Sequence, residues 1–331
     1  MKSRLLIGCA ILLAFTVILM GAYTRLSNAG LSCPDWPKCY DHLTVPTQTQ
    51  LLQNTHRLFL GDVLQPEKAW LEMIHRYLAG SLSLLILAIL IQSLTKRITP
   101  RLLTWGLVAV VVFQALLGMW TVTMKLMPIV VMSHLLGGYC VISLLWLIHL
   151  NSIKRNEAME HCSAVVIQRH AALGLFTLVI QIILGGWTST NYAALACTSL
   201  PICQGNWINH LDFTQAFSPL QGLHKSYEFG VLSSDARMTI HICHRIWAMV
   251  TSCVLGSLAF RLLSQQVYTI KKSGYWLLGF LCLQISLGVM NVLFQLPIGI
   301  AVAHNAGALM LLLCMLYINF HVWRQGGQHE Q

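Results

Sequence analysis

Charged side chains are scarce in this chain. Asp, Glu, Lys and Arg make up 10% of its 331 residues, and only 11 residues are acidic, whereas soluble domains carry about 25% charged residues. So few charges cannot build a water-exposed surface of ordinary composition, which excludes a soluble domain. Low-complexity tracts are absent as well, so composition marks no separate linker segment. No small-residue cleavage site follows the first apolar run, and that run is too long for a signal peptide; it is expected to remain as a helix. What is left is apolar: 56% hydrophobic residues and a mean hydropathy of +0.65. The expected class is an integral membrane protein.

A helix needs roughly 20 apolar residues to cross a bilayer. Runs of that kind lie near 5–26, 72–95, 102–124, 128–150, 171–190, 238–262, 275–296 and 298–321, which predicts an all-α protein with eight transmembrane helices. The net charge of +10 could suggest nucleic acid, but its distribution points to the lipid bilayer as the partner. With a cytoplasmic N-terminus, the inner loops and helix ends hold Lys2, Arg4, Lys96, Arg97, Arg101, Lys154, Arg155, Arg169, Arg261, Lys271, Lys272 and Arg324 against Glu157, Glu160 and Glu330. The outer side holds nine basic and eight acidic residues. This positive-inside pattern places both termini in the cytoplasm, and no nucleic-acid partner is expected.

The sequence also repeats. "GAYTRLSNAGLSCPDWPKC" from Gly21 returns as "GGWTSTNYAALACTSLPIC" from Gly185 at an offset of 164, with Thr24/Thr188, Cys33/Cys197, Pro37/Pro201 and Cys39/Cys203 in register. "EMIHR" (Glu72–Arg76) matches "HICHR" (His241–Arg245) at offset 169. At offset 170, "FQALLGMWTV" from Phe113 matches "LQISLGVMNV" from Leu283, and "SHLLGG" from Ser133 matches "AHNAGA" from Ala303. Four helices per copy is an even number, so both copies enter the membrane from the same side, unlike inverted-repeat transporters. The expected architecture is two pseudo-symmetric four-helix bundles side by side, residues 1–155 and 156–331. Long outer loops near 27–71 and 191–237 suggest lids over sites in the outer half of the membrane.

Four histidines sit inside predicted spans at matched places: His75 and His134 in the first copy, His244 and His304 in the second. Two imidazoles facing each other across a bundle can hold one haem iron from both sides, each at about 2 Å. Gly137 and Gly138 follow His134, and Gly307 and Ala308 follow His304, at i+3 and i+4, leaving a bare helix surface for a flat macrocycle. Arg76 and Arg245 come directly after His75 and His244, at the depth of haem propionates, where a guanidinium can pair with carboxylates. An isolated intramembrane histidine could instead bond a neighbouring helix or line a wet cavity; placement of four by a repeat favours the ligand reading. Zinc is disfavoured, since neither pair has further ligands nearby. His42, His56, His210 and His224 in outer loops, and His149, His161, His170, His321 and His329 toward the cytoplasm, are weaker candidates.

The copies differ at Glu72, one turn before His75, where the second copy has His241. A carboxyl group there could move protons, or it could simply complement the positive N-terminal end of its helix. The difference suggests that the first copy is catalytic and the second delivers electrons or supports the structure. Cys33/Cys39 and Cys197/Cys203 are the outer cysteines, expected to form disulfides in an oxidising periplasm. They read equally as staples or as redox-active pairs at the bundle mouths. The remaining cysteines, among them Cys9, Cys140, Cys243, Cys253, Cys282 and Cys314, read as small hydrophobes within helices, and Cys162 as cytoplasmic.

These motifs together resemble the haem A synthase family, membrane enzymes of cytochrome oxidase assembly that convert haem O to haem A. The resemblance covers nearly the whole chain. It implies oxidation of the C8 methyl group of haem O to a formyl group by successive hydroxylations and loss of water. It assigns His75 and His134 to the substrate haem, His244 and His304 to a haem b, Glu72 to the reaction, Cys33/Cys39 to haem handling or catalysis and Cys197/Cys203 to structure. It implies a bacterial inner-membrane location, with haem O synthase, oxidase assembly factors and an outside electron donor as partners and self-association as an open option. The competing reading is a bis-histidine cytochrome b that only transfers electrons, which needs neither the cysteine pairs nor the Glu72/His241 difference.

Overall fold

The computed structural model describes residues 2–47, 64–96, 99–153, 165–203 and 205–326. The expected boundary at 155/156, His56, His161, His329, Cys162, Arg97, Lys154, Arg155, Glu157, Glu160 and Glu330 lie outside them. Eight long helices run through the described residues: α1 (Lys2–Leu26), α2 (Pro66–Lys96), α3 (Arg101–Thr123), α4 (Pro128–Ser152), α5 (Val165–Thr190), α6 (Ser234–Leu263), α7 (Tyr268–Leu293) and α8 (Ile298–Gly326). Short helical turns at Trp207–His210 and Phe213–Ala216 lie between α5 and α6. All eight long helices are apolar and long enough to cross a membrane, as expected. Their starts differ from expectation. α2 begins at Pro66 rather than near residue 72, and α6 at Ser234 rather than near 238. Proline is suited to a first helical position, and Ser233 caps α6 by accepting the Ala236 N–H at 3.2 Å. Such polar first turns are good helix starts but add nothing to an apolar run.

Where the sequence repeats, the local backbone repeats with it. Asn28 and Tyr192 follow α1 and α5 with positive φ of 50° and 53°. Just beyond them, the Ala29 and Ala193 N–H groups donate to the Thr24 and Thr188 carbonyls, both at 2.9 Å. The links α3–α4 and α7–α8 each turn on two left-handed residues, Lys125-Leu126 and Gln295-Leu296. The Leu126 N–H closes the first on the Thr121 carbonyl at 2.9 Å, and the Leu296 N–H closes the second on that of Asn291 at 2.7 Å. In these two links the first helix stops on a left-handed turn and the next begins within a few residues.

The chain forms two compact units, Met1–Leu145 with Pro219–Val231 and Trp146–Ser218 with Leu232–Gln331. In the first, α1 packs on α2 and α2 on α3. Its segment Pro219–Val231 is tied down where the Tyr227 N–H donates to the Lys125 carbonyl at 3.0 Å. In the second, α5, α6, α7 and α8 close into a ring, with α8 returning to α5. Between helices in lipid, cohesion comes from close packing and hydrogen bonds rather than from apolar burial. Gly274 of α7 allows such packing, since a Cβ there would lie 3.0 Å from Leu262 Cβ and 3.1 Å from the Ala259 carbonyl oxygen of α6. Trp247 Nε1 donates to the Thr177 carbonyl across the α5–α6 seam at 2.9 Å, and Asn319 Nδ2 to that of Ala171 across α5–α8 at 3.0 Å. Leu12, Leu84, Phe176 and Phe260 stand exposed on outward faces, as lipid-facing side chains do.

Candidate functional site

After α1 the chain folds back onto the start of α2. Cys33 and Cys39 are joined by a disulfide, with Cα atoms 4.7 Å apart. Both are fully buried and pack with Tyr40, Val45, Ala69 and Met73. Ala69 and Met73 are one helical turn apart, so a single face of α2 carries the loop. Glu72 and Arg76, also one turn apart, fasten it. The Glu72 side chain is buried, with the residue 5% exposed. Its Oε2 accepts the Cys33 N–H at 2.9 Å, and its Oε1 pairs with Arg76 Nη2. Arg76 Nη1 donates toward the carbonyls of Lys38 at 2.6 Å, Asp35 at 3.0 Å and Pro37 at 3.2 Å.

The helix-end explanation of Glu72 does not survive this geometry. α2 starts at Pro66, and its first-turn acid is Glu67. The helix-end charge falls off within the first turn, and Glu72 lies beyond it. Its partners are instead a backbone amide of the disulfide loop and a guanidinium. We expect Arg76→Lys to loosen that loop, because an ammonium cannot span the carboxylate and three carbonyls together. Losing one or two charge-assisted bonds, about 1.5–3 kcal/mol each, should speed amide hydrogen exchange across residues 33–41 about tenfold or more. Wild-type exchange in the variant would mean that the guanidinium contacts contribute nothing.

The second unit repeats the arrangement with one change. Cys197 and Cys203 are bonded, with Cα atoms 5.2 Å apart. Arg245 Nη1 donates to the Ser199 carbonyl at 2.6 Å and Nη2 to that of Cys197. In place of an acid, His241 Nε2 accepts Arg245 Nε at 3.2 Å. A ring nitrogen that accepts here carries its proton on the other nitrogen, so His241 serves the arginine. The loop is fastened without a carboxylate.

Deeper in the first unit, the rings of His75 on α2 and His134 on α4 face each other with centroids 6.4 Å apart and planes at 87°. A glycine on a neighbouring helix makes room for each of the four histidines. A Cβ on Gly21 would lie 2.8 Å from His75 Cε1, and one on Gly118 would lie 3.5 Å from His134 Cε1. In the second unit a Cβ on Gly185 would lie 3.1 Å from His244 Cε1, and one on Gly288 would lie 3.2 Å from His304 Cε1. These are the repeat-related pairs Gly21/Gly185 and Gly118/Gly288. Of the small residues expected to leave clearance, Gly137, Gly138, Gly307 and Ala308, Gly137 and Gly307 have a glutamine side chain against them. A Cβ on Gly137 would lie 1.8 Å from Gln114 Nε2, and one on Gly307 would lie 2.2 Å from Gln284 Oε1. Both glutamines were visible as repeat matches, and that was the signal available.

The site fits a haem held by two imidazoles. Two iron–nitrogen bonds of about 2 Å, with about 1 Å from each nitrogen to its ring centre, place the centres about 6 Å apart, close to the 6.4 Å between His75 and His134. The buried Nδ1 atoms of His75, His134 and His304 have no hydrogen-bond partner, while the other ring nitrogen of His304 lies 3.3 Å from Gln284 Nε2 on the neighbouring helix. Among the described residues no group of three or more His, Cys, Asp or Glu could hold a metal ion.

The sequence matches the COX15-CtaA family, described as cytochrome oxidase assembly protein, over residues 3–316. The chain belongs to that family. The COX15-CtaA match spans both cysteine loops and His75, His134, His244 and His304. A heme A synthase of Shewanella oneidensis is 53% identical over 326 residues, covering 98% of each chain. Relatives of the same name are 28% identical in Allorhizobium ampelinum, covering 93% of this chain and 87% of the relative, and 26% identical in Nitrosospira multiformis, covering 97% and 93%.

Proposed function

We propose that this COX15-CtaA protein is a haem A synthase, an oxidoreductase that converts haem O to haem A by oxidising its C8 methyl group to a formyl group. The observation that carries this reading is the facing pair His75 and His134 beneath a loop fastened by the buried acid Glu72, in a chain 53% identical to a heme A synthase. Haem O is the substrate, held by His75 and His134 in the unit with the acid. A haem b is held by His244 and His304, and when bound it supplies one-electron transfer.

Each of two hydroxylations puts one oxygen atom of O2 into a methyl C–H bond, while the other leaves as water with two electrons from the outside donor and two protons. The resulting diol loses water to leave the formyl group. The protein orients the methyl group, keeps bulk water out and handles protons. Glu72 is suited to the last task because its carboxyl oxygens lie behind the closed loop, one helical turn from His75. Arg76 and Arg245 hold the loops shut and bring positive charge to the rims where propionates would lie. Cys33–Cys39 closes the catalytic mouth, and Cys197–Cys203 acts as a staple over the second. The reading places the protein in the bacterial cytoplasmic membrane with both termini inside, beside haem O synthase and oxidase assembly factors, with an electron donor reaching it from outside the chain.

Co-expression with a haem O producer should yield haem A, identified by mass after extraction. Unmodified haem O recovered with an intact, haem-loaded protein would leave a bis-histidine cytochrome as the function.

A further inference from the structure

The two units differ at a second, half-buried position beside a ligand histidine. At the offset of 164 that relates the ends of α1 and α5, Gln181 corresponds to Val17. The Gln181 amide nitrogen lies 3.2 Å from His244 Nδ1, while its Oε1 is buried without a partner. Val17 has no polar side chain, and the partner it offers His75 is its backbone carbonyl, where the second unit has a side-chain amide. Gln114 and Gln284 occur in both units and so cannot distinguish them.

Amide oxygen and nitrogen are nearly indistinguishable by shape and are assigned from the hydrogen-bond network. A neutral imidazole that gives Nε2 to iron carries its proton on Nδ1, which must then donate. Turning the amide by half a rotation brings Oε1 to that proton and gives the unpartnered oxygen its bond. Ligand histidines commonly donate their second N–H in this way, which fixes the tautomer and makes the ligand more basic.

Building on the haem assignment proposed above, we infer that Gln181 is a positioning residue that accepts the Nδ1–H of His244 and so strengthens the second unit's hold on its haem. A more basic, oriented ligand holds ferric iron tightly and lowers the midpoint potential.

The test uses the full-length protein carrying its haem, with Gln181→Leu and Gln181→Glu compared against wild type. The readouts are the rate of haem loss to excess apomyoglobin, the midpoint from a reductive titration, and the low-spin ferric resonance. Gln181→Leu should lose the second unit's haem about 10–100 times faster and shift its midpoint upward. Gln181→Glu keeps an acceptor and should hold both near or below the wild-type values. Wild-type haem loss and midpoint in Gln181→Leu would overturn the inference, as would equal shifts in both variants, which would indicate packing alone. If Gln181→Leu fails to load, Gln181→Glu decides: a wild-type or lower midpoint supports the hydrogen bond, and a raised one overturns it. A wild-type resonance that survives His244→Met would instead overturn the haem assignment, and the inference with it.

Discussion

Glu72→Gln should lower haem A formation by about 10²- to 10⁴-fold, the range for removing a positioned general acid or base, while the protein still binds haem. The proton role proposed for the carboxylate must be separated from the contacts it makes. The carboxylate accepts the Cys33 N–H and pairs with Arg76, so any substitution also disturbs the loop. Arg76→Lys is the comparison, because it loosens the same loop and leaves the acid in place. The second unit shows why fastening alone does not require an acid: Arg245 holds the Cys197–Cys203 loop with His241 as its partner. Glu72→Gln should therefore fall well below Arg76→Lys in product, measured by extraction and mass, even where hydrogen exchange finds their loops equally loose. Equal losses in the two variants would reduce Glu72 to a fastener and move proton handling elsewhere.

The number and type of the helices were legible because bilayer-spanning helices leave a strong composition signal. Their starts were not, since Pro66-Glu67-Lys68 and Ser234-Asp235 are polar turns that belong to the helix and not to the apolar run. The candidate site was legible through duplication: a lone His75 says little, whereas His75 matched by His244 and His134 by His304 makes a pattern. What the sequence hid were contacts to backbone. Arg76 and Arg245 were read by proximity to the histidines as propionate partners, yet their donors meet the carbonyls of Lys38 and Ser199. A carbonyl acceptor exists at every residue, so no side-chain pattern announces it. The same limit hid Gly21, Gly118, Gly185 and Gly288, whose open faces have meaning only once the neighbouring helix is in place. Nor does a repeat explain why Pro219–Val231 joins the first unit; there Glu228 helps line a polar hollow of about 150 Å³ with Ser32, Gln65 and Lys68.

His75→Met and His244→Met should fail in different ways. If the first unit takes the substrate and the second a resident haem, His244→Met removes or alters the low-spin signal of protein prepared without haem O, whereas His75→Met leaves that signal intact. In cells that supply haem O, His75→Met should form no detectable haem A, because one of the two imidazoles proposed to hold the substrate is gone. Gly21→Ala gives an independent route to the same result, since its Cβ would sit 2.8 Å from the His75 ring and force it aside. Gly8→Ala, on the same helix with nothing within 4 Å of the added carbon, should behave as wild type. Gly185→Ala should disturb the second signal as His244→Met does, less severely, because its Cβ would stand 3.1 Å from His244. If His75→Met and His244→Met gave the same spectrum, or Gly21→Ala disturbed the resident haem, the division of roles between the units would be wrong. Product lost in His75→Met and in Gly21→Ala, with the resident signal unchanged in both, would tie the chemistry to the unit that carries Glu72.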